Sequence, residues 1–332
     1  MAVNERIVPR DGSGGSDEVN DIDSNAKRVM VTGGSGFIGY HCLAPLVSRG
    51  YQVTALYSRR QPEPVAGVTW LQADLLEAEQ VRRALAGTLP SHLLHLAWYV
   101  EPGKLVSHPE NLRWLSASLE MIRHFREQGG ARCVVSGTGY EYDRRYGFCS
   151  EALTPRQPNT LYGAAKHGLN EVFNAYCATS GLAGAWGRVF FLYGPREDRR
   201  RFVSSIVASL LEGAVAPTSS GEHVGDFLHV QDVADGLVAL LDSDVSGDFN
   251  IASGSAVTFR RIVERIGAMT GREDLLRIGA IASRPNDAPF IVGDNSRLKR
   301  ETGWAPAFDL DSGLNSTIDW WRGHLKGQTG IK

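Results

Sequence analysis

Val31-Thr32-Gly33-Gly34-Ser35-Gly36-Phe37-Ile38-Gly39 is the stretch on which the fold turns. An apolar run, Arg28-Val29-Met30-Val31, leads into it, and an amphipathic segment from Phe37 to about Ser48 leads out. This pattern reads as a strand, a tight glycine turn and a helix. Gly33 supplies the dihedrals of the turn, Gly36 leaves room for a pyrophosphate, and Gly39 lets helix pack on strand. The free N–H groups at the helix start then face phosphate oxygens. A dinucleotide is the first ligand to consider. The spacing is G-x-x-G-x-x-G rather than G-x-G-x-x-G, so an ordinary strand–helix turn is the competing reading. A Walker loop is excluded, because no Gly-Lys-Ser/Thr follows.

Working outward, short apolar strands alternate with helical segments. Strands are expected at 52–57, 68–73, 92–96, 132–136 and 183–189, and helices at 77–85, 110–127 and 161–180. Such alternation predicts an α/β fold, a Rossmann-type doubly wound parallel sheet with helices on both faces. The last third is less regular, punctuated by Pro195, Pro217, Pro285, Pro289 and Pro306. We expect a smaller C-terminal α/β substrate lobe there. The expected division is a disordered, Gly/Ser/Asp-rich leader over 1–25, a dinucleotide-binding domain over 26–190 plus about 229–254, and the substrate lobe over about 191–228 plus 255–325.

The 332 residues carry a net charge of −2 and are 42% hydrophobic, enough for a substantial core. Near-neutral charge gives no case for nucleic acid or an anionic membrane. No apolar run approaches a membrane span, and no secretory pattern opens the chain. Cys42, Cys133, Cys149 and Cys177 form no C-x-x-C and no metal-ligand spacing, so no metal is expected. Buried thiols of this kind suit a reducing cytoplasm.

The second strand ends Leu56-Tyr57-Ser58-Arg59-Arg60. An NAD-preferring fold usually places a carboxylate here for the ribose hydroxyls. A hydroxyl and two guanidiniums suit a 2′-phosphate instead, which favours NADP(H) over NAD(H); a solvated loop is the alternative. Asp74 is placed to accept from an adenine amino group or to cap the next helix. Tyr162 and Lys166 form an i, i+4 pair on one helix face. An ammonium near a phenol lowers its pKa from about 10 and makes it a proton donor or acceptor. Thr138, at the carboxyl end of the fifth strand, is positioned to bond a substrate carbonyl and share a proton with Tyr162. His229 reads as structural, in a segment where Asp232 is expected to cap a helix.

These motifs, taken in order, resemble the extended short-chain dehydrogenase/reductase family, in its nucleotide-sugar epimerase/dehydratase/4-ketoreductase branch. The resemblance covers about 27–321. It includes His95-Leu96-Ala97, Gly187-Arg188-Val189-Phe190-Phe191-Leu192-Tyr193-Gly194-Pro195, Asp226-Phe227-Leu228-His229-Val230, Phe249-Asn250-Ile251-Ala252, Arg284-Pro285-Asn286-Asp287 and Gly303-Trp304-Ala305-Pro306. It implies a catalytic Thr138, Tyr162 and Lys166, with Glu141-Tyr142 in register with the family's Val-Tyr pair. The cofactor surface is then Gly33, Ser35, Gly36, Phe37, Ile38, Ser58, Arg59, Arg60, Asp74, Leu75, Leu96, Ala97, Tyr162 and Lys166. The resemblance also implies Arg284 and Asp287 at the substrate diphosphate, and a homodimer pairing the helices at 110–127 and 161–180.

Three departures shape the functional expectation. Phe191 stands where the family often has an Asn that touches a substrate phosphate, and Gly225 replaces a frequent arginine. Arg199, Arg200 and Arg201 are candidate replacements, with Arg201 carried forward as a substrate contact; a solvated charge run is the alternative. Gly139-Tyr140 follow Thr138 where sugar 4,6-dehydratases carry Asp-Glu, which counts against dehydration. The expectation is NADPH-dependent reduction of a nucleotide-linked sugar, an NDP-4-keto-6-deoxyhexose, in the cytoplasm. The alternatives are an NAD-dependent NDP-sugar 4-epimerase, a reductase of a non-nucleotide carbonyl, and a cofactor-binding protein without turnover.

Overall fold

A computed structural model describes residues 27–283 and 288–329; the expected leader over 1–25 lies outside them. Among the described residues, seven strands form the central sheet. They are β1 (Arg28–Thr32), β2 (Gln52–Tyr57), β3 (Val68–Gln72), β4 (His92–His95), β5 (Arg132–Thr138), β6 (Ala183–Val189) and β7 (Gly247–Ile251). All pairs are parallel, in the order β7-β6-β5-β4-β1-β2-β3. The direction of progression reverses between β1 and β4, where Thr32 lies opposite His95. Open α/β sheets bind ligands outside the carboxyl ends of their strands at such a switch point.

The strands read as continuous apolar runs because helices cover both faces. On one face α1 (Phe37–Ser48) and α6 (Val230–Asp242) pack through Leu43, Leu46, Val233 and Leu237. On the other, α2 (Ala78–Thr88), α3 (Glu110–Glu127) and α4 (Leu161–Ser180) pack through Leu85, Met121, Phe125, Leu169 and Phe173. Bounds at β2, β6, α1, α3 and α4 match the sequence-predicted ones. The fifth strand differs: it runs two residues past the predicted Ser136 and ends on Thr138. Pairing with β6 through Thr138–Val189 extends it over glycine that strand propensity would reject.

Beyond β6, α5 (Phe202–Leu211), α7 (Phe259–Thr270) and α9 (Leu310–Thr329) share a second core of Val207, Leu210, Ile262, Ile266, Leu314 and Ile318. A four-stranded sheet accompanies it, built from Val257–Thr258, Val224–Gly225, Phe290–Gly293 and Phe148–Cys149. The last of these comes from the first half of the chain and was not foreseen. A short helix, α8 (Ser296–Thr302), packs beside β7.

Two buried carboxylates tie these pieces together. Asp226 accepts from the backbone N–H of Ser253 (2.7 Å), Gly254 (2.9 Å) and Gly293 (3.1 Å). Asp232 accepts from Ala307 (2.8 Å) and Phe308 (3.1 Å). Asp232 therefore does not cap α6 as expected. His229 does, its Nδ1 accepting from Gln231 N at 3.3 Å. The helix begins one turn earlier than the expectation, which frees Asp232 to reach the chain before α9. No helix among the described residues is long and apolar enough to cross a membrane.

Candidate functional site

The glycine turn has the form that close phosphate approach requires. Gly33 sits at φ +68°, and a Cβ there would stand 2.9 Å from Ala97 N. A Cβ at Gly39 would overlap the Gly33 carbonyl. Gly36 caps α1 with no side chain on the helix N–H groups, and Ser35 and Gly36 are exposed. Phe37 and Ile38 open the helix, half-buried. The backbone thus presents uncapped donors in a cradle that side chains would fill, which fits a dinucleotide pyrophosphate.

Thr32 latches this turn to the end of β4. Its Oγ1 lies 2.8 Å from His95 Nδ1 and accepts from Leu96 N (3.1 Å) and Ala97 N (3.2 Å). His95 Nε2 in turn meets Ser118 Oγ at 2.8 Å. Burial pushes His95 down to about 3, so the ring is neutral and holds the crevice wall rather than carrying a proton.

At the end of β2, Ser58, Arg59 and Arg60 are exposed, and neither arginine makes a hydrogen bond or ion pair among the described residues. Asp74 Oδ1 accepts from Leu76 N (3.0 Å) and Asp74 N donates to Gln80 Oε1 (2.9 Å), the turn-closing use of this residue. Leu75 is buried beside it.

Thr138, Tyr162 and Lys166 converge at the end of β5. Thr160 Oγ1 caps α4 by accepting from Gly163 N at 3.1 Å, so Tyr162 sits in the first turn. Its half-buried ring lies between Trp98 (6.4 Å between centroids) and Tyr140 (5.9 Å). Burial raises the Tyr162 pKa above the ordinary phenol range; Thr138, as a hydrogen-bond partner, and the Arg201 charge oppose this. The i, i+4 spacing of Tyr162 and Lys166 predicts that the ammonium lowers it. Instead the Lys166 ammonium donates to Ser136 O at 2.9 Å and lies 3.9 Å from the centroid of the Trp98 ring. The i, i+4 spacing aligns the two residues on one face, but the long stem turns toward the strand. Burial brings Lys166 down to about 7.

The arginine run separates into two roles. Arg199 pairs with Glu212, and Arg200 with Asp198 and Glu101, as a charged surface does. Arg201 donates to Val100 O at 2.7 Å and is the one whose charge reaches Tyr162. Arg284 and Asp287 lie outside the described residues. Phe191 and Gly225 prove to be one departure rather than two: a Cβ at Gly225 would stand 2.9 Å from the Phe191 and Phe227 rings. The phenyl group occupies the space where a side chain at 225 would begin.

Sequence reasoning missed several members of the site. Trp98 lies beneath Lys166, and its Nε1 donates to Asn111 Oδ1 at 2.8 Å, anchoring the loop after β4. Glu141 is fully buried and pairs with fully buried Arg188. Outside this group, Glu197 is buried, bonded by Ser204 Oγ at 2.7 Å, and raised to about 7 by burial. A carboxylate at the end of an apolar strand was the available signal for Glu141. Nothing in the local pattern distinguishes Trp98 or Glu197. Glu151 accepts from Asn250 N at 2.7 Å, a structural use of its carboxylate.

The model of the NAD dependent epimerase/dehydratase family matches residues 29–252. The chain is 26% identical over 321 residues to UDP-glucuronic acid decarboxylase 1 of Xenopus tropicalis, covering 92% of this chain and 75% of that protein. The UDP-glucose 4-epimerase of Thermus thermophilus, solved with NAD, superposes with a TM-score of 0.80 at 26% identity, over 89% of this chain and 99% of that one. MoeE5, solved with UDP-glucose and NAD, superposes with a TM-score of 0.80 at 28% identity, over 90% and 99%.

Proposed function

The chain belongs to the NAD dependent epimerase/dehydratase family, and from that premise we propose that it transfers hydride at a carbonyl or carbinol carbon of a nucleotide-linked sugar. The direction we favour is NADPH-dependent reduction of an NDP-4-keto-6-deoxyhexose. One observation carries the reading: the Tyr162 phenol, partnered by Thr138, stands at the carboxyl end of β5 with buried Lys166 one helical turn behind it.

The nicotinamide, when bound, supplies the hydride. Gly33, Gly36 and the start of α1 would hold the pyrophosphate, while Leu96 and Ala97 would wall the crevice. Thr138 Oγ1 donates to the substrate oxygen, and Tyr162 Oη delivers the proton as that oxygen becomes an alkoxide. Lys166, swung from Ser136 O, steadies the phenolate left behind. Arg201 adds positive charge on the substrate side. Gly139 and Tyr140 offer no acid–base pair beside Thr138, which disfavours elimination.

The absence of a carboxylate at Ser58-Arg59-Arg60 supports NADP. The NAD named in two neighbouring structures favours a second reading, an NAD-dependent 4-epimerase in which the same triad returns hydride to the other face. Leu112 on α3 and Val172 on α4 are exposed, and these helices lie side by side, which supports a homodimer.

The test is a panel of NDP-4-keto-6-deoxy sugars with NADPH and NADH, followed by loss of reduced-cofactor absorbance, alongside UDP-glucose to UDP-galactose conversion. Net NADPH consumption supports the reductase. Tightly held NAD with interconversion and no net consumption replaces it with the epimerase. Clear dinucleotide binding with inactivity across the whole panel rejects both.

A further inference from the structure

Glu141 follows an apolar strand, and its side chain is fully buried. A buried carboxylate is costly unless every oxygen is engaged, and here both are. Oε1 accepts from Thr138 N (2.8 Å) and Trp186 Nε1 (3.0 Å), and Oε2 from Arg188 Nε (2.6 Å). Thr138 Oγ1 in turn accepts from Tyr140 N at 3.3 Å, so residue 138 is held from both sides. Arg188, on β6, reaches onward. Its Nη2 donates to Asn170 Oδ1 and Asp248 Oδ2, both at 2.9 Å, and Asn170 Nδ2 donates to Asp248 Oδ1 at 2.9 Å. Asn170 is one helical turn beyond Lys166 and two beyond Tyr162 on the same face of α4.

We propose that Glu141 is a positioning residue for the reacting groups: it binds the Thr138 backbone, ties β5 through Arg188 and Asn170 to the helix carrying Tyr162 and Lys166, and sets a fixed negative charge behind them. This rests on the roles assigned above to Thr138, Tyr162 and Lys166. The charge acts in one sense on both titrating groups, favouring the protonated phenol and the protonated amine, which is the state required to deliver a proton. The other groups facing them are Tyr140 beyond β5, Arg201 at the start of α5, and His95 on β4, which is neutral. None of these supplies a second anion. Asp248 lies on the far side of Arg188 and balances it.

Two variants test the proposal, because Glu141→Gln alone leaves the buried Arg188 guanidinium with one carboxylate, Asp248, instead of two. The second is the double variant Glu141→Val/Arg188→Met, which removes the buried pair and leaves Asp248 to the Asn170 and Asn174 amides. Each is assayed with the sugar and cofactor that the wild type turns over. The expected result for both is a kcat lowered by about tenfold or more through lost alignment, with dinucleotide Kd changed by less than about twofold. The limb of the kcat/KM–pH profile that reports Lys166 near neutrality moves to lower pH by about half a unit or more. A merely structural pair would lose thermal stability in Glu141→Gln, regain it in the double variant, and leave the pH limb in place; that outcome overturns the proposal. If the wild type is inert toward every sugar, the pH dependence of NADPH binding reads the same lysine, so the two readings fail separately.

Discussion

Replacing Thr32 with valine keeps its shape and removes one oxygen from the switch point. That oxygen accepts from Leu96 N and Ala97 N and meets His95 Nδ1. Leu96 N retains a second acceptor, Thr32 O at 3.3 Å. Ala97 N and His95 Nδ1 are left buried without a partner. Each orphaned group costs about 1–3 kcal/mol, so Thr32→Val should lose about 3 kcal/mol in all. Urea denaturation should record this as a lower midpoint with an unchanged m-value. The dinucleotide Kd should rise as well, because Ala97 N lies against Gly33 in the turn proposed to hold the pyrophosphate. Thr32→Ser keeps the oxygen and should recover most of both losses. A Thr32→Val protein within about 0.5 kcal/mol of wild type, the range of a neutral surface change, would refute the idea that this hydroxyl holds β1 to β4.

Other consequences follow from separate parts of the fold. Arg59→Ala/Arg60→Ala should weaken NADPH binding by about tenfold or more while sparing NADH; equal loss of both would remove the 2′-phosphate reading. His95, His92 and His229 are pushed down to about 3, 4 and 4, burial being the main cause. The unfolded chain therefore binds protons below about 6.5 that the folded chain refuses, and stability falls as pH drops from there toward 4. His95→Gln should lessen that slope by up to about 1.4 kcal/mol per pH unit in urea titrations between those limits. Asp226→Asn replaces one acceptor oxygen shared by Gly254 and Gly293 with a donor, and should cost about 2 kcal/mol or more by chemical denaturation. Val172→Asp/Leu112→Asp should convert a dimer to a monomer on size-exclusion chromatography with the fold retained by circular dichroism; an unchanged elution volume would argue against pairing through α3 and α4.

The elements with strong period and clean punctuation were legible before the structure. Gln52–Tyr57, Glu110–Glu127 and Leu161–Ser180 have bounds that hydrophobic spacing, caps and flanking glycines define locally. What was not legible depends on contacts distant in sequence. β5 extends to Thr138 because β6 pairs with it, fifty-one residues on at Val189. Phe148–Cys149 becomes a strand only beside Phe290–Gly293. The Lys166 side chain chooses Ser136 O and the Trp98 ring over Tyr162, a choice that helical spacing cannot encode. Asp232 carried a good capping signal, yet His229 took that position once α6 started earlier. Phe191 and Gly225 looked like separate losses in the sequence, and only packing joins them.

Tyr162 as the proton carrier is the central claim. The direct measurement is turnover of Tyr162→Phe and of wild type, on the NDP-sugar panel with NADPH, beside the NADPH Kd of each. Removing the phenolic oxygen should lower kcat by about 10²-fold or more, the usual scale of general acid–base catalysis, with NADPH affinity essentially retained. A Tyr162→Phe protein that turns over the same sugar at the wild-type rate would contradict the account.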